Sequence, residues 1–375
     1  MARKMTSLLT ASGMALVTFV FAAVLMLAQG LESTLVDTGS PENVIVLRAS
    51  AETEVSSVID RISASIVEVQ PEIRRNDRDE PLVSRETVIL VTLPKKNTDT
   101  PANVVVRGVG PHALTLRPQV CLTAGRMFQP GSHEVIVGKS IAKRTEKAAL
   151  GETLRFALTD WRVVGIFDAG RTAFDSEIWA DGEQLMGAFR RLDYSAVVMQ
   201  VPGQDAFDAV RNRVESDPRL SVQVKREPVF FREQSEVMTK FIRILGLAVT
   251  MFFSLGAILG AMVTMYAAVA HRVREIGTLR ALGFPRWAIL LAFLSESLLL
   301  GLIGGVTGIA AASLLQFFTI STMNWTTFSD LAFGFDLTLP ITLYALGFSL
   351  GMGFLGGVLP AWRAARLGIV EALRA

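Results

Sequence analysis

The chain has 375 residues, half of them hydrophobic and only 19% charged, with 30 glycines and a formal net charge of +2. Soluble domains carry about 25% charge, so a single soluble domain is excluded, and disorder is excluded by the ample apolar surface. The small net charge argues against a broad nucleic-acid footprint. A single cysteine, Cys121, excludes an intrachain disulfide and any cysteine-based metal cluster.

The apolar residues gather in four runs, each long enough to cross a hydrocarbon core, which takes about 20 helical residues. The first covers residues 8–28, behind Arg3 and Lys4. It is longer than the roughly 7–15 apolar residues of a secretory signal. Met26-Leu27-Ala28-Gln29-Gly30 is also a poor cleavage site, so the run reads as an uncleaved transmembrane helix. The others cover residues 244–270, 288–318 and 339–359. The fold class is therefore an α-helical membrane protein of four spans, with a large α+β extracytoplasmic domain between the first two. The expected divisions are 1–30 for the N-terminus and first span, 31–240 for the outer domain and 241–270 for the second span. A cytoplasmic helix follows at 271–287, the third span at 288–318, an outer loop at 319–338, the fourth span at 339–359 and a tail at 360–375.

Short loops set the orientation, because Lys and Arg stay on the cytoplasmic side. Arg3 and Lys4 precede the first span, Arg272, Arg274, Arg280 and Arg286 lie between the second and third, and Arg363, Arg366 and Arg374 follow the fourth. Residues 319–338 carry no Lys or Arg, only Asp330 and Asp336. Both termini are thus expected inside and the large domain outside.

Within that domain, Asn43-Val44-Ile45-Val46-Leu47 and the segments 87–93 and 103–106 read as strands, being β-branched and bounded by turn residues. Val55, Ile59, Ile62 and Ile66 recur at helical spacing and predict a helix over 55–67. A strand at 134–138, a helix at 140–149 and strands near 151–156 and 161–167 follow, the last ending in the turn Asp168-Ala169-Gly170. Residues 231–241 are polar and helical in character. They run unbroken into the second span or form a kinked linker.

No catalytic constellation is present. Gly138-Lys139-Ser140 lacks the glycine a P-loop needs five positions earlier, where His133 stands, so it reads as a strand-to-helix turn. His112, His133 and His271 lack the spacing of a zinc site, so no metal is expected. Cys121 reads as a small core residue. Glu296, flanked by Ser295 and Ser297, is the one acid within a predicted span. It makes either a polar contact with nearby hydroxyls or arginines, or part of a substrate path or gate.

Glycines four apart let membrane helices approach closely. Gly256 and Gly260 have this spacing in the second span, Gly301 with Gly305 and Gly304 with Gly308 in the third, and Gly347 with Gly351 and Gly353 with Gly357 in the fourth. They serve packing within the chain or a dimer face.

The link after His271 is too regular for a loop. Val273, Ile276, Leu279 and Leu282 recur at threes, with Arg272, Arg274, Glu275 and Arg280 on the polar side. Gly283 supplies a stop and Pro285 blocks continuation. Such a helix lies on anionic lipid or docks into a partner.

Arg274-Glu275-Ile276-Gly277-Thr278-Leu279-Arg280-Ala281-Leu282-Gly283, followed by Trp287 and the stretch 296–308, closely resembles the FtsX-like permease domain of MacB-type ABC transporters. Pro360-Ala361-Trp362-Arg363-Ala364-Ala365-Arg366 and Val370-Glu371-Ala372-Leu373-Arg374 resemble that family's C-terminus. The outer domain is similar to the MacB-type periplasmic core at 134–138, 150–154 and 163–167. The resemblance spans nearly the whole chain.

It implies a homodimeric permease of the bacterial inner membrane, driven by a cytoplasmic ABC ATPase. No ATPase segment precedes the first span as it does in MacB itself, so the ATPase is expected as a separate partner. ATP and magnesium would bind there, and no cofactor is expected in this chain. The segment 271–283 would be the coupling helix, with Glu275, Gly277, Arg280 and Gly283 at motif positions. Closure of the ATPase would be transmitted to the outer domain, exporting or extracting an amphiphilic, peptide or lipid-linked cargo. The alternative is a signalling module that activates an outer partner such as a cell-wall hydrolase. Membrane lipid and a periplasmic adaptor are further expected partners, and nucleic acid is not.

Overall fold

The computed structural model describes residues 2–96, 98, 100–369 and 372, with side chains from Ser7. The side chains of Arg3 and Lys4, and residues 370, 371 and 373–375 of the C-terminal motif, lie outside the described residues. The chain forms two units. A helical unit comprises Met1–Gly30, Thr239–Phe318 and Gly334–Ala375, and an α/β unit comprises Leu31–Met238 and Thr319–Phe333.

Helix α1 (Ala2–Val36) is followed by strand β1 (Asn43–Arg48). Asp60 then starts α2 (Arg61–Glu68), its carboxylate accepting the Ile62 and Ser63 amides at 2.9 Å. This corrects the helix expected over 55–67. Ile59 pairs instead with Tyr194 as an isolated bridge, and Ile62 is 75% exposed while Ser63, Ala64 and Val67 are buried. The three-and-four spacing spanned two different backbones.

Strands β2 (Val83–Leu93) and β3 (Ala102–Val109) lead through α3 (Ala113–Leu116) to β4 (Cys121–Gly125) and β5 (Glu134–Gly138). Cys121 is exposed on β4, not a core residue as expected, because every residue of that strand faces solvent. Helix α4 (Lys139–Arg144) is shorter than expected, since Thr145 leaves it to bridge Lys95. Then come β6 (Thr153–Phe156), β7 (Thr159–Asp168), β8 (Glu177–Asp181), α5 (Gly182–Ala188), β9 (Ala196–Gln200), α6 (Gln204–Ser216) and β10 (Val222–Arg226).

These strands form one mixed sheet in the order β10-β1-β9-β2-β3-β8-β5-β7-β4, with β6 beside β7. The long β2 joins its halves, pairing with β9 over Val83–Glu86 and with β3 over Thr87–Leu93. One core, including Val46, Ala64, Val197 and Phe207, lies under α2 and α6. A second, including Val106, Val137, Trp161 and Leu185, lies on the other half.

Helix α7 (Glu227–His271) is a single 45-residue helix, so residues 231–241 do run unbroken into the second apolar span. It is followed by α8 (Val273–Ala281) and α9 (Arg286–Ser313). The stretch expected as an outer loop instead holds two paired strands, β11 (Thr319–Met323) and β12 (Asp330–Gly334). Residues 319–333 belong to the α/β unit, where Asn103 donates to the Phe328 carbonyl at 3.1 Å and Lys95 pairs with Asp330. Helix α10 (Leu339–Arg366) completes the four helices that, among the described residues, are long and apolar enough to cross a membrane.

In the helical unit α9 and α10 meet through a reciprocal pair of serines. Ser297 Oγ donates to the Gly353 carbonyl and Ser349 Oγ to the Gly301 carbonyl, both at 2.6 Å. A Cβ on Gly301 would stand 2.8 Å from the Ser349 carbonyl oxygen, and one on Gly353 equally close to that of Ser297. Only glycine admits this approach.

Candidate functional site

Helix α8 is the element that the sequence singled out. It ends with Gly283 at φ +94°, whose amide donates to the Arg280 carbonyl while the Phe284 amide reaches back to Leu279, both at 3.2 Å. This left-handed cap stops the helix where the sequence predicts. Its burial is uneven. Ile276 is buried among Met265, Val269, Ile289 and Phe293, and Gly277 is buried beside it. Leu279, Leu282, Phe284 and Trp287 are exposed, as are Arg274 and Glu275. The apolar stripe is therefore half-buried at Val273 and buried at Ile276, and its far end stays bare.

Arg272, just before α8, holds the N-terminal end to α9. Its guanidinium donates to both oxygens of Glu296, at 2.9 and 3.3 Å, and lies 5.8 Å from the Phe293 ring centre. Glu296 thus makes a polar contact with an arginine, one of the two roles left open for it. A cavity of about 310 Å³ opens beside the pair, lined by Thr264, His271, Glu275 and Leu300 among others.

The glycines divide into two sets. Gly301 and Gly305 face α10, while Gly304 and Gly308 lie against α1 at Met14 and Ala15. Gly353 and Gly357 face α9. By contrast, a Cβ on Gly256, Gly260, Gly347 or Gly351 would meet nothing within 4 Å. The sequence carried a further signal that glycine spacing alone did not capture. Ser297-Leu298-x-x-Gly301-x-x-Gly304-Gly305 recurs as Ser349-Leu350-x-x-Gly353-x-x-Gly356-Gly357. Its serines with Gly301, Gly305, Gly353 and Gly357 form the contact between α9 and α10, while Gly304 and Gly356 face α1 and α7.

Two family models match the sequence, a MacB-like periplasmic core domain over residues 7–217 and an FtsX-like permease C-terminal region over residues 247–369. The chain belongs to the MacB/FtsX-like family of ABC transporter permeases. It is 24% identical over 313 residues to the macrolide export ATP-binding/permease protein MacB of Neisseria gonorrhoeae, covering 75% of this chain and 45% of that protein. It is 27% identical over 261 residues to the uncharacterized ABC transporter permease YknZ of Bacillus subtilis, covering 66% and 63%. The pyoverdine export ATP-binding/permease protein PvdT of Pseudomonas putida is 29% identical over 238 residues, covering 60% and 35%. The chain thus spans less than half the length of these MacB and PvdT relatives. Among solved structures, the periplasmic region of MacB from Actinobacillus actinomycetemcomitans is 14% identical with a TM-score of 0.39, over 55% of this chain and 94% of that one. The extracellular domain of YknZ from Gram-positive bacteria is 15% identical with a TM-score of 0.37, over 49% and 99%. Family membership rests on the sequence matches, not on these distant likenesses.

The permease also holds a charged cluster that sequence reasoning missed. Arg107 on β3 binds Glu54, Glu86 and Glu177, and Arg117 binds Glu86 and Glu227, all six side chains being at most 8% exposed. Phe174 lies under both guanidinium groups, at 5.3 and 4.8 Å. Burial alone would push Glu86 up, but Arg117 and Arg107 outweigh it and hold the carboxyl below its usual range. At Glu177 burial wins over Arg107, and the carboxyl is raised. Glu227, the first residue of α7, also accepts the Ser40 amide at 3.0 Å and Asn43 Nδ2 at 2.9 Å, just after α1. The segments following α1 and opening α7 are thereby fastened together inside the α/β unit. Six charges scattered over 174 positions carry no local pattern, which is why spacing did not reveal them.

Proposed function

We propose that this chain is the membrane subunit of an export-type ABC transporter whose ATPase is a separate cytoplasmic protein that binds ATP and magnesium. The ATPase docks on α8, and its closure is passed through the bundle and along α7 to the α/β unit, which handles cargo outside the membrane. The observation that carries this reading is α8 itself, pinned at one end by Arg272–Glu296 and Ile276 while Leu279, Leu282 and Trp287 stay uncovered at the other. A docking helix needs both a firm root and a free apolar face rimmed by charge. The unbroken α7, about 68 Å at 1.5 Å per residue, supports a mechanical linkage longer than a bilayer core.

The arginine-rich loops support a bacterial inner-membrane protein with both termini in the cytoplasm. Relatives named for macrolide and pyoverdine export support an amphiphilic cargo, and a periplasmic adaptor fits the same arrangement. The outward-facing Gly256 and Gly260 offer a close-packing surface for a second copy.

The test is co-purification with candidate ATPases, comparing wild type with a Glu275→Ala plus Arg280→Ala variant. Wild type should retain an ATPase, and the variant should lose at least about 1.4 kcal/mol, a tenfold drop in affinity. Undiminished binding by the variant would remove α8 from the role assigned to it.

A further inference from the structure

A cleft of about 530 Å³ opens in the α/β unit between α2 and α5. Its volume falls within the roughly 300–1,000 Å³ of small-ligand sites. Glu68, Glu80, Asp181 and Glu183 line it against one arginine, Arg85, and Tyr194 lies among them. Val83, Val109, Pro81 and Pro111 supply apolar wall. Alternation along β2 explains why this face is polar. Arg85 points into the cleft and pairs with Glu68 at 2.5 Å, whereas its neighbour Glu86 points the other way into the buried cluster.

The chain itself shows what this surface accepts. Arg61 binds Glu183 with two nitrogens, at 2.7 and 3.2 Å, and its guanidinium lies 5.3 Å from the centre of the Tyr194 ring. Tyr194 donates its hydroxyl proton to the same carboxylate at 2.7 Å. Arg85 takes a second position by that ring, at 5.7 Å. A carboxylate fork beside an aromatic ring, with apolar wall alongside, is the combination that recognises an organic cation. Arg61 is no permanent plug, since it and Glu183 are 51% and 57% exposed. Pairs this exposed are weak, so displacing Arg61 costs little.

We propose that this cleft binds a cationic amphiphile, whose guanidinium or ammonium group takes the place of Arg61 on Glu183 and Tyr194 while its apolar body lies against Val83 and Pro111. The ligand would touch α2, which packs in one core, and α5, which gives Met186 to that core and Leu185 to the other. Occupancy therefore bears on the seam between the two halves of the sheet. That such a ligand is cargo rests on the export function proposed above. Its binding does not, so failure of ATPase docking and failure of ligand binding are separate results.

The full chain in lipid nanodiscs would be titrated calorimetrically with N-acetyl-arginyl-leucinamide and with its citrulline counterpart, a neutral group of nearly the same shape. The arginine compound should bind more tightly by up to about fivefold, the scale of a half-exposed ion pair. Glu183→Gln should weaken it by a similar factor, whereas Arg61→Ala should strengthen it, the internal competitor being gone. Equal affinity for the two compounds would overturn the proposal. So would absence of binding to both wild type and Arg61→Ala, neither of which depends on how Glu183→Gln folds.

Discussion

In the α/β unit six charged side chains are buried together around Arg107 and Arg117, whereas in the helical unit α9 and α10 touch through serine, glycine and bare backbone. The difference follows from the solvent each must exclude. A water-facing domain gains its cohesion from apolar burial, which is non-directional, and a buried ionic cluster adds a geometric requirement that only one arrangement meets. Between membrane helices the lipid is as apolar as leucine, so contact comes from close packing and interhelical hydrogen bonds. Ser297 and Ser349 answer to that rule, and each needs the other helix's glycine to be met.

Breaking the ionic cluster should have the largest effect. Arg107→Ala leaves Glu54, Glu86 and Glu177 with an incomplete counter-charge, and should cost about 3–5 kcal/mol. Urea unfolding followed by tryptophan fluorescence would read it, because Trp179 donates to Glu177 at 2.9 Å and lies in the affected core. A loss below about 1 kcal/mol, the scale of exposed pairs, would mean the cluster is no tighter than surface charge.

The glycine contacts come next. Gly357→Ala, whose Cβ would stand 2.6 Å from Ser297 Oγ, should destabilise the detergent-solubilised protein by about 1–3 kcal/mol. Gly256→Ala and Gly260→Ala should stay within roughly 0.5 kcal/mol in the monomer, since their Cβ atoms meet nothing. Thermal unfolding of the three variants side by side would settle whether backbone approach, not glycine content, holds the bundle. Equal losses from all three would erase the distinction.

The smallest effect concerns a single exposed pair. The two-pronged contact of Arg126 lowers the Glu134 carboxyl from its ordinary 4.5 to about 2. Because the folded value lies below the unfolded one, this stabilisation is present at neutral pH and is lost between roughly pH 5 and pH 2. Glu134→Gln should therefore lower the melting temperature slightly at pH 7, with the two proteins converging near pH 2. A constant gap across that range would assign the effect to packing.

The four spans were legible because twenty consecutive apolar residues have few other uses, and β1, β5 and β7 because β-branched runs ended in turn residues. Helix α8 was legible down to its stop, since Gly283 has a single physical reason to be there. The errors arose where one pattern had two readings. Ile59 and Ile62 shared a helical spacing, yet Asp60 between them ended one structure and capped the next. Cys121 carries no sign of which strand edge will be exposed. The Arg107–Arg117 cluster and the Arg61–Glu183 fork join residues far apart in the chain, and no local spacing foretells such meetings. The Ser297 and Ser349 repeats were in plain view but required comparing one span with another.

The α/β unit is assembled from two separated stretches of chain. Asn103 meets the Phe328 carbonyl and Ser176 Oγ accepts the Ala332 amide, so residues 319–333 complete a surface begun some two hundred residues earlier. During synthesis that final piece emerges only after residues 239–318, with their two membrane spans, have been made. The domain cannot finish folding on its own side until the third helix has been threaded through the bilayer. Biogenesis thus has a built-in order, in which insertion of α9 precedes closure of the domain that began folding before it.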